Sequence, residues 1–80
     1  MDEEIKYTIH EHIGTVYCKP NGWRMELNIV SWADDGAKLY DLRRWNSNHT
    51  KYSRGARFSE SDLKPLMEII KKRLEEIEHE

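Results

Sequence analysis

Cysteine is almost missing from this chain: Cys18 stands alone among 80 residues, so no intrachain disulfide can form. No apolar run approaches the ~20 residues that a membrane-spanning helix needs. The opening Met-Asp-Glu-Glu-Ile-Lys-Tyr has neither the basic nor the apolar region of a secretion signal. A soluble protein of a reducing compartment is therefore expected, placed in the cytoplasm or with the nucleoid, and the Asn48-His49-Thr50 sequon carries no meaning there. A chain this short holds one domain, residues 1–80, and buries only about 60% of the surface its unfolded form exposes. Small domains make up that deficit with disulfides, a metal or a partner chain. With the first excluded, self-association is the leading expectation.

Strong net charge is absent too. The formal total is −2, which taken alone argues against a partner rich in phosphate. Its distribution argues the opposite. Residues 19–57 carry four acids against eight bases (Lys19, Arg24, Lys38, Arg43, Arg44, Lys51, Arg54, Arg57), a local balance of +4, while the two ends together hold −6. Local fields govern how a polyanion is met. Trp23, Trp32 and Trp45 all fall in this basic middle.

Ile5, Tyr7 and Ile9 alternate with Lys6, Thr8 and His10, the period of a half-buried strand, and the pattern continues towards Tyr17 with Gly14 a candidate bulge. Lys19-Pro20-Asn21-Gly22 is turn chemistry, and a second strand is expected from Trp23 to Trp32. Ala33-Asp34-Asp35-Gly36 makes the next turn, followed by a strand from Lys38 to Trp45. After the polar run Asn46-Ser47-Asn48-His49, a short strand around Arg54–Phe58 enters a helix. Ser59 suits the helix N-cap, with Asp62 completing a capping box. Pro65, read as lying about a turn and a half inside, should bend that helix. Leu63, Met67, Ile70, Leu74 and Ile77 follow a four-three-four-three spacing, a heptad seam, and Leu66 and Ile69 widen it. Such a helix should outrun a four-stranded sheet, leaving Met67, Ile70, Leu74 and Ile77 to meet a second copy.

The third strand carries the functional reading. Tyr40 and Leu42 alternate with Asp41, Arg43 and Trp45, so if the first pair faces the helix, Arg43 and Trp45 face away from it. An aromatic and a guanidinium on an uncovered face suit single-stranded nucleic acid: rings stack on bases at about 1–3 kcal/mol each and cations follow the phosphates. On this reading Trp32 is core, while Trp23 and Trp45 are exposed beside Arg24 and Arg44. The competing reading has Arg43 paired with Asp41 or Asp35.

The runs G-W-R-M-E-L-N-I-V-S-W, K-L-Y-D-L-R-R-W and K-Y-S-R-G-A-R-F-S, in that order over residues 5–75, resemble the positive-cofactor-four family of transcriptional coactivator domains, most closely its YdbC-like bacterial branch. The resemblance implies an α+β fold, a four-stranded curved antiparallel sheet followed by a kinked C-terminal helix, assembled as a homodimer through its helices. It implies largely sequence-independent binding of single-stranded DNA. Arg43, Trp45, Lys51 and Arg54 match binding positions, and Trp23, Arg24 and Lys38 are similar. Where eukaryotic members place further bases after V-S-x, this chain has Ala33-Asp34-Asp35, which implies weaker binding. RNA and the transcription machinery remain open as partners.

Catalytic and metal readings are weak. His10-Glu11-His12 offers half a metal site without further ligands in view, and exposed histidines are the simpler reading. Asp34, Asp35 and Asp41 do not make a convincing nuclease set, since two of them sit where a turn favours Asp for backbone reasons. No Gly-rich phosphate loop or nucleophile-base pair is present. The expectation is a non-enzymatic binder without cofactor or metal, with a protein-interaction module using the same Trp and Arg face as the alternative.

Overall fold

Turn chemistry and alternation together organise the chain. The computed structural model describes residues 6–33 and 36–79. Four strands, β1 (Tyr7–Cys18), β2 (Arg24–Trp32), β3 (Leu39–Trp45) and β4 (Ala56–Phe58), form one antiparallel sheet in the order β1-β2-β3-β4. A single 3-10 turn, Glu60–Asp62, leads into the helix α1, Leu63–Glu78. Ile5, expected to open the first strand, and Asp34 and Asp35 of the second turn lie outside the described residues.

The first reversal rests on Gly22, whose φ of +94° is open to glycine at little cost. Its N–H donates to the Lys19 carbonyl at 2.9 Å, and the Asn21 Oδ1 accepts the Trp23 N–H at 3.0 Å. β2 and β3 then pair without interruption from Arg24↔Trp45 to Val30↔Leu39. β1 is less regular. Its register against β2 shifts between Ile9 and Glu11, between His12 and Gly14, and between Thr15 and Tyr17. Each shift inserts an extra residue, which bends a strand and increases its twist. The expected single irregularity at Gly14 is thus one of three.

Opposed residues in an antiparallel ladder share a face. One face therefore collects Tyr7, Ile9, His12, Thr15 and Cys18 from β1, and Arg24, Glu26, Asn28, Val30 and Trp32 from β2. From β3 and β4 it collects Leu39, Asp41, Arg43, Trp45 and Arg57. The other face carries Leu27, Ile29, Tyr40, Leu42 and Phe58, with the Tyr40 and Phe58 rings stacked at 6.0 Å between centroids. Over this second face the helix begins: Leu63, Leu66, Met67 and Ile70 line an apolar cleft of about 350 Å³ with Val16, Leu27, Leu42 and Phe58.

The capping box forms, one turn earlier than the α-helix proper. The Asp62 carboxylate accepts the Ser59 N–H at 3.0 Å and the Ser59 hydroxyl at 3.1 Å. Because α1 starts at Leu63, Pro65 lies in its first turn, where backbone N–H groups have no intrahelical partner in any case. The expected loss of a mid-helix hydrogen bond is corrected: Pro65 stands in the first turn of α1, just after the change from 3-10 to α geometry.

No α1 residue is buried. Met67, Ile69, Ile70, Leu74 and Ile77 are all more than half exposed, and Ile13 and Val16 on the irregular β1 are exposed as well. Among the described residues only Val30 and Trp45 are buried hydrophobics, against five buried polar or charged residues. The radius of gyration is 15.0 Å, where a compact chain of this length gives about 12 Å. No helix among the described residues is long and apolar enough to cross a membrane.

Candidate nucleic-acid interface

Strand alternation places Asp41, Arg43 and Trp45 together on the face away from the helix, as the sequence suggests. Their exposure is another matter. Trp45 is 0% exposed and Arg43 8%. The expectation that both stand open to solvent is corrected, and the cause is the surrounding side chains.

Asp41 and Arg43 sit two residues apart on β3, so their side chains lie parallel. Arg43 Nε donates to Asp41 Oδ1 at 2.6 Å and Nη2 to Oδ2 at 2.7 Å, a two-pronged, charge-assisted pair. Arg43 Nη1 also donates to the Ser53 carbonyl at 3.2 Å, and Trp32 Nε1 donates to Asp41 Oδ2 at 3.2 Å. The guanidinium carbon lies 4.4 Å from the Trp32 ring centroid, a cation–π contact. The ion-pair reading of Arg43 is therefore the one realised, with Asp41.

Tyr7 fills the centre of the aromatic group, with centroids 5.4 Å from Trp32, 5.1 Å from Trp45 and 5.7 Å from Tyr52. Trp32 and Trp45 stack at 6.3 Å. Trp32, expected as core, is half-buried, while Trp45 is the sealed one. The Trp45 Nε1 has no hydrogen-bond partner among the described residues.

A second polar centre adjoins it at Glu26, which is 3% exposed. His49 Nε2 donates to its carboxylate at 3.0 and 3.2 Å, and Asn28 Nδ2 donates at 3.0 Å. Arg24 Nε and His12 Nδ1 each stand 3.7 Å away. Burial alone would raise the Glu26 carboxyl. The hydrogen bonds from His49 and Asn28, with the charges of His49 and His12, outweigh it and hold the group below its ordinary value. His49 itself adopts a φ of +58°, packs against Trp45 with the rings tilted at 50° and centroids 5.3 Å apart, and accepts the Tyr7 hydroxyl at its carbonyl. The β3–β4 connection is thereby tied to both β1 and β2.

The seven residues expected to contact nucleic acid do not all lie on one face. Arg24, Arg43 and Trp45 belong to the face just described, and Arg24 is drawn towards Glu26. Trp23 lies elsewhere, half-buried in a groove it shares with Lys19, Asn21, Arg44 and Ser53. Lys38, Lys51 and Arg54 are exposed and line neither the groove nor the apolar cleft. The four expected dimer residues are uncovered along α1.

Other expectations meet specific side chains. The Asp41 carboxylate is taken up by Arg43 and Trp32 rather than standing open to a metal ion. His10 and His12 do not share a face: the register shift at Ile9/Glu11 separates them, and His10 Nε2 meets Ser31 Oγ at 2.9 Å while His12 Nδ1 meets Asn28 Oδ1 at 2.6 Å. No group of three metal-binding side chains occurs among the described residues. Sequence reasoning passed over Tyr7, Glu26, Asn28, His49 and Tyr52 as builders of the platform. Asp-x-Arg-x-Trp on a strand was the available signal, since an acid two residues before an arginine neutralises it on the same face.

No protein-family profile matches the chain. A protein of Treponema pallidum (strain Nichols), described only as uncharacterized, is similar: 26% identical over 70 residues, covering 88% of this chain and 81% of its own length.

Proposed function

We propose that this chain is a non-enzymatic, homodimeric binder of single-stranded DNA, related to positive-cofactor-four domains and working in the cytoplasm or on the nucleoid. The observation that carries the reading is the contrast between bound and unbound cations in residues 19–57. Arg43 is locked to Asp41 and Arg24 leans on Glu26. Lys38, Lys51, Arg54 and Arg57 are exposed, and take no part in the ion pairs found among the described residues. Exposed cations on β4 and in the segments flanking β3, outside the ion pairs found among the described residues, give a phosphate backbone somewhere to lie, without a code for sequence.

In this reading Arg43 and Trp45 do not touch the nucleic acid. They hold the sheet rigid and anchor the β3–β4 connection, from which Lys51 and Arg54 project. The ββββα order supports the kinship. The near absence of an apolar core and the uncovered α1 seam support the dimer, because Met67, Ile70, Leu74 and Ile77 exposed in water are a standing penalty that a second copy removes.

Labelled single-stranded DNA, duplex DNA and oligouridine titrated into the full chain at low salt test the proposal. Preference for the DNA single strand supports it. Preference for oligouridine moves the reading to RNA, where the 2′-hydroxyl is the difference read. Absence of binding to all three removes it.

A further inference from the structure

The groove at the β1–β2 turn differs from the buried face in every relevant respect. Its lining of Lys19, Asn21, Trp23, Arg44 and Ser53 contains two cations, one indole and no carboxylate, around about 370 Å³ of open space. That size falls within the range of small-ligand pockets. Lys19 and Arg44 are exposed, and among the described residues their side chains make neither an ion pair nor a hydrogen bond.

The carriers of these side chains are rigid, although the side chains are free. The Trp23 carbonyl accepts the Lys19 N–H at 2.7 Å, and the Trp23 N–H donates to Asn21 Oδ1. The Arg44 N–H donates to Ser53 Oγ at 3.1 Å, and its carbonyl accepts the Ser53 N–H at 3.0 Å. Met25 opposes Arg44 in the ladder, so this groove opens on the helix-side face, opposite Arg43 and Trp45.

We infer that this groove is a nucleotide subsite, with the Trp23 indole stacking one base of a single strand and Lys19 and Arg44 holding the phosphates on either side of it. The inference rests on the single-strand reading above and names where one unit of that strand sits. An indole lining one groove with two cations that are in no ion pair among the described residues suits the base-and-phosphate alternation of a nucleic acid. An acidic peptide would satisfy the cations and leave the indole without a partner.

The test uses the full chain, labelled oligothymidine as probe, and circular dichroism as a fold check. Lys19→Ala with Arg44→Ala removes two exposed charges, and Lys64→Ala with Lys72→Ala removes two from the helix as a matched control. The groove pair should weaken binding at least tenfold and flatten the salt slope by about 1.4, at ~0.7 for each phosphate no longer neutralised; the helix pair should change little. Trp23→Ala should lose on the order of tenfold and Trp23→Phe much less, because stacking needs only a ring. Tryptophan quenching by the oligomer should fall sharply in Trp23→Phe, since Trp45 is sealed and the half-buried Trp32 lies on the opposite face. If the wild type binds and the groove pair binds equally well, the subsite is wrong while the single-strand reading stands. If the wild type does not bind, both fall. Displacement by oligoglutamate as effective as by unlabelled oligothymidine of equal charge overturns the subsite in favour of an acidic peptide.

Discussion

Arg43 is neutralised by the residue two places before it: both prongs of its guanidinium end on the Asp41 carboxylate, at 2.6 and 2.7 Å, in a pair where Asp41 is fully buried. A cation so held is part of the architecture. Removing its partner strands a charge away from water, which costs about 3–5 kcal/mol where measured in buried pairs.

Asp41→Asn should therefore destabilise the protein by about 3 kcal/mol or more in urea unfolding. A change below about 1 kcal/mol, the size typical of surface pairs, would show that Arg43 is not held in this way.

Acid should loosen the Glu26 centre. Its carboxyl lies lower in the folded protein than the ordinary value of 4.5. Its contribution is thus present above that ordinary value and is lost as pH falls through the folded one. Melting temperature should drop as pH falls below that ordinary value and on through the lower folded one, and Glu26→Gln should be less stable at neutral pH with a flatter acid limb. An unchanged acid limb in that variant would place the sensitivity elsewhere.

Gly55 lies against β3 so tightly that a Cβ there would stand 2.4 Å from both Arg43 Cβ and the Leu42 carbonyl oxygen. Gly55→Ala should destabilise by about 1–3 kcal/mol, the cost of forcing extra volume into a filled space. A neutral outcome in urea unfolding would mean that the 53–56 segment yields easily.

Along α1, Ile70→Glu with Leu74→Glu should convert a dimer into a monomer in sedimentation, with unfolding shifted to lower urea. A wild-type chain sedimenting near 9.6 kDa at every concentration would remove the dimer.

Much of this fold is legible in the residues. Asn21-Gly22 marks the first hairpin, β3 shows which of its side chains face the helix, and Ser59 with Asp62 marks the helix entry. What escapes is long-range. Whether Trp45 is open or sealed depends on Tyr7, far earlier in the chain, and on His49 and Tyr52 beyond the strand. The three register shifts of β1 leave little trace, because an extra residue exchanges faces without changing composition. His10 and His12 separate for that reason. Trp23 and Arg44 come together only because β2 and β3 pair with Met25 opposite Arg44, a register that neither strand states alone.

Binding should depend on free cations meeting a single strand while Arg43 and Trp45 stay inside. Fluorescence anisotropy of labelled oligothymidine, titrated with the wild type and with Lys51→Ala/Arg54→Ala across a salt series, tests this directly. Wild-type affinity should fall as salt rises, with a slope shallower by about 1.4 in the variant. No anisotropy change at low salt, or identical slopes for the two proteins, would contradict it.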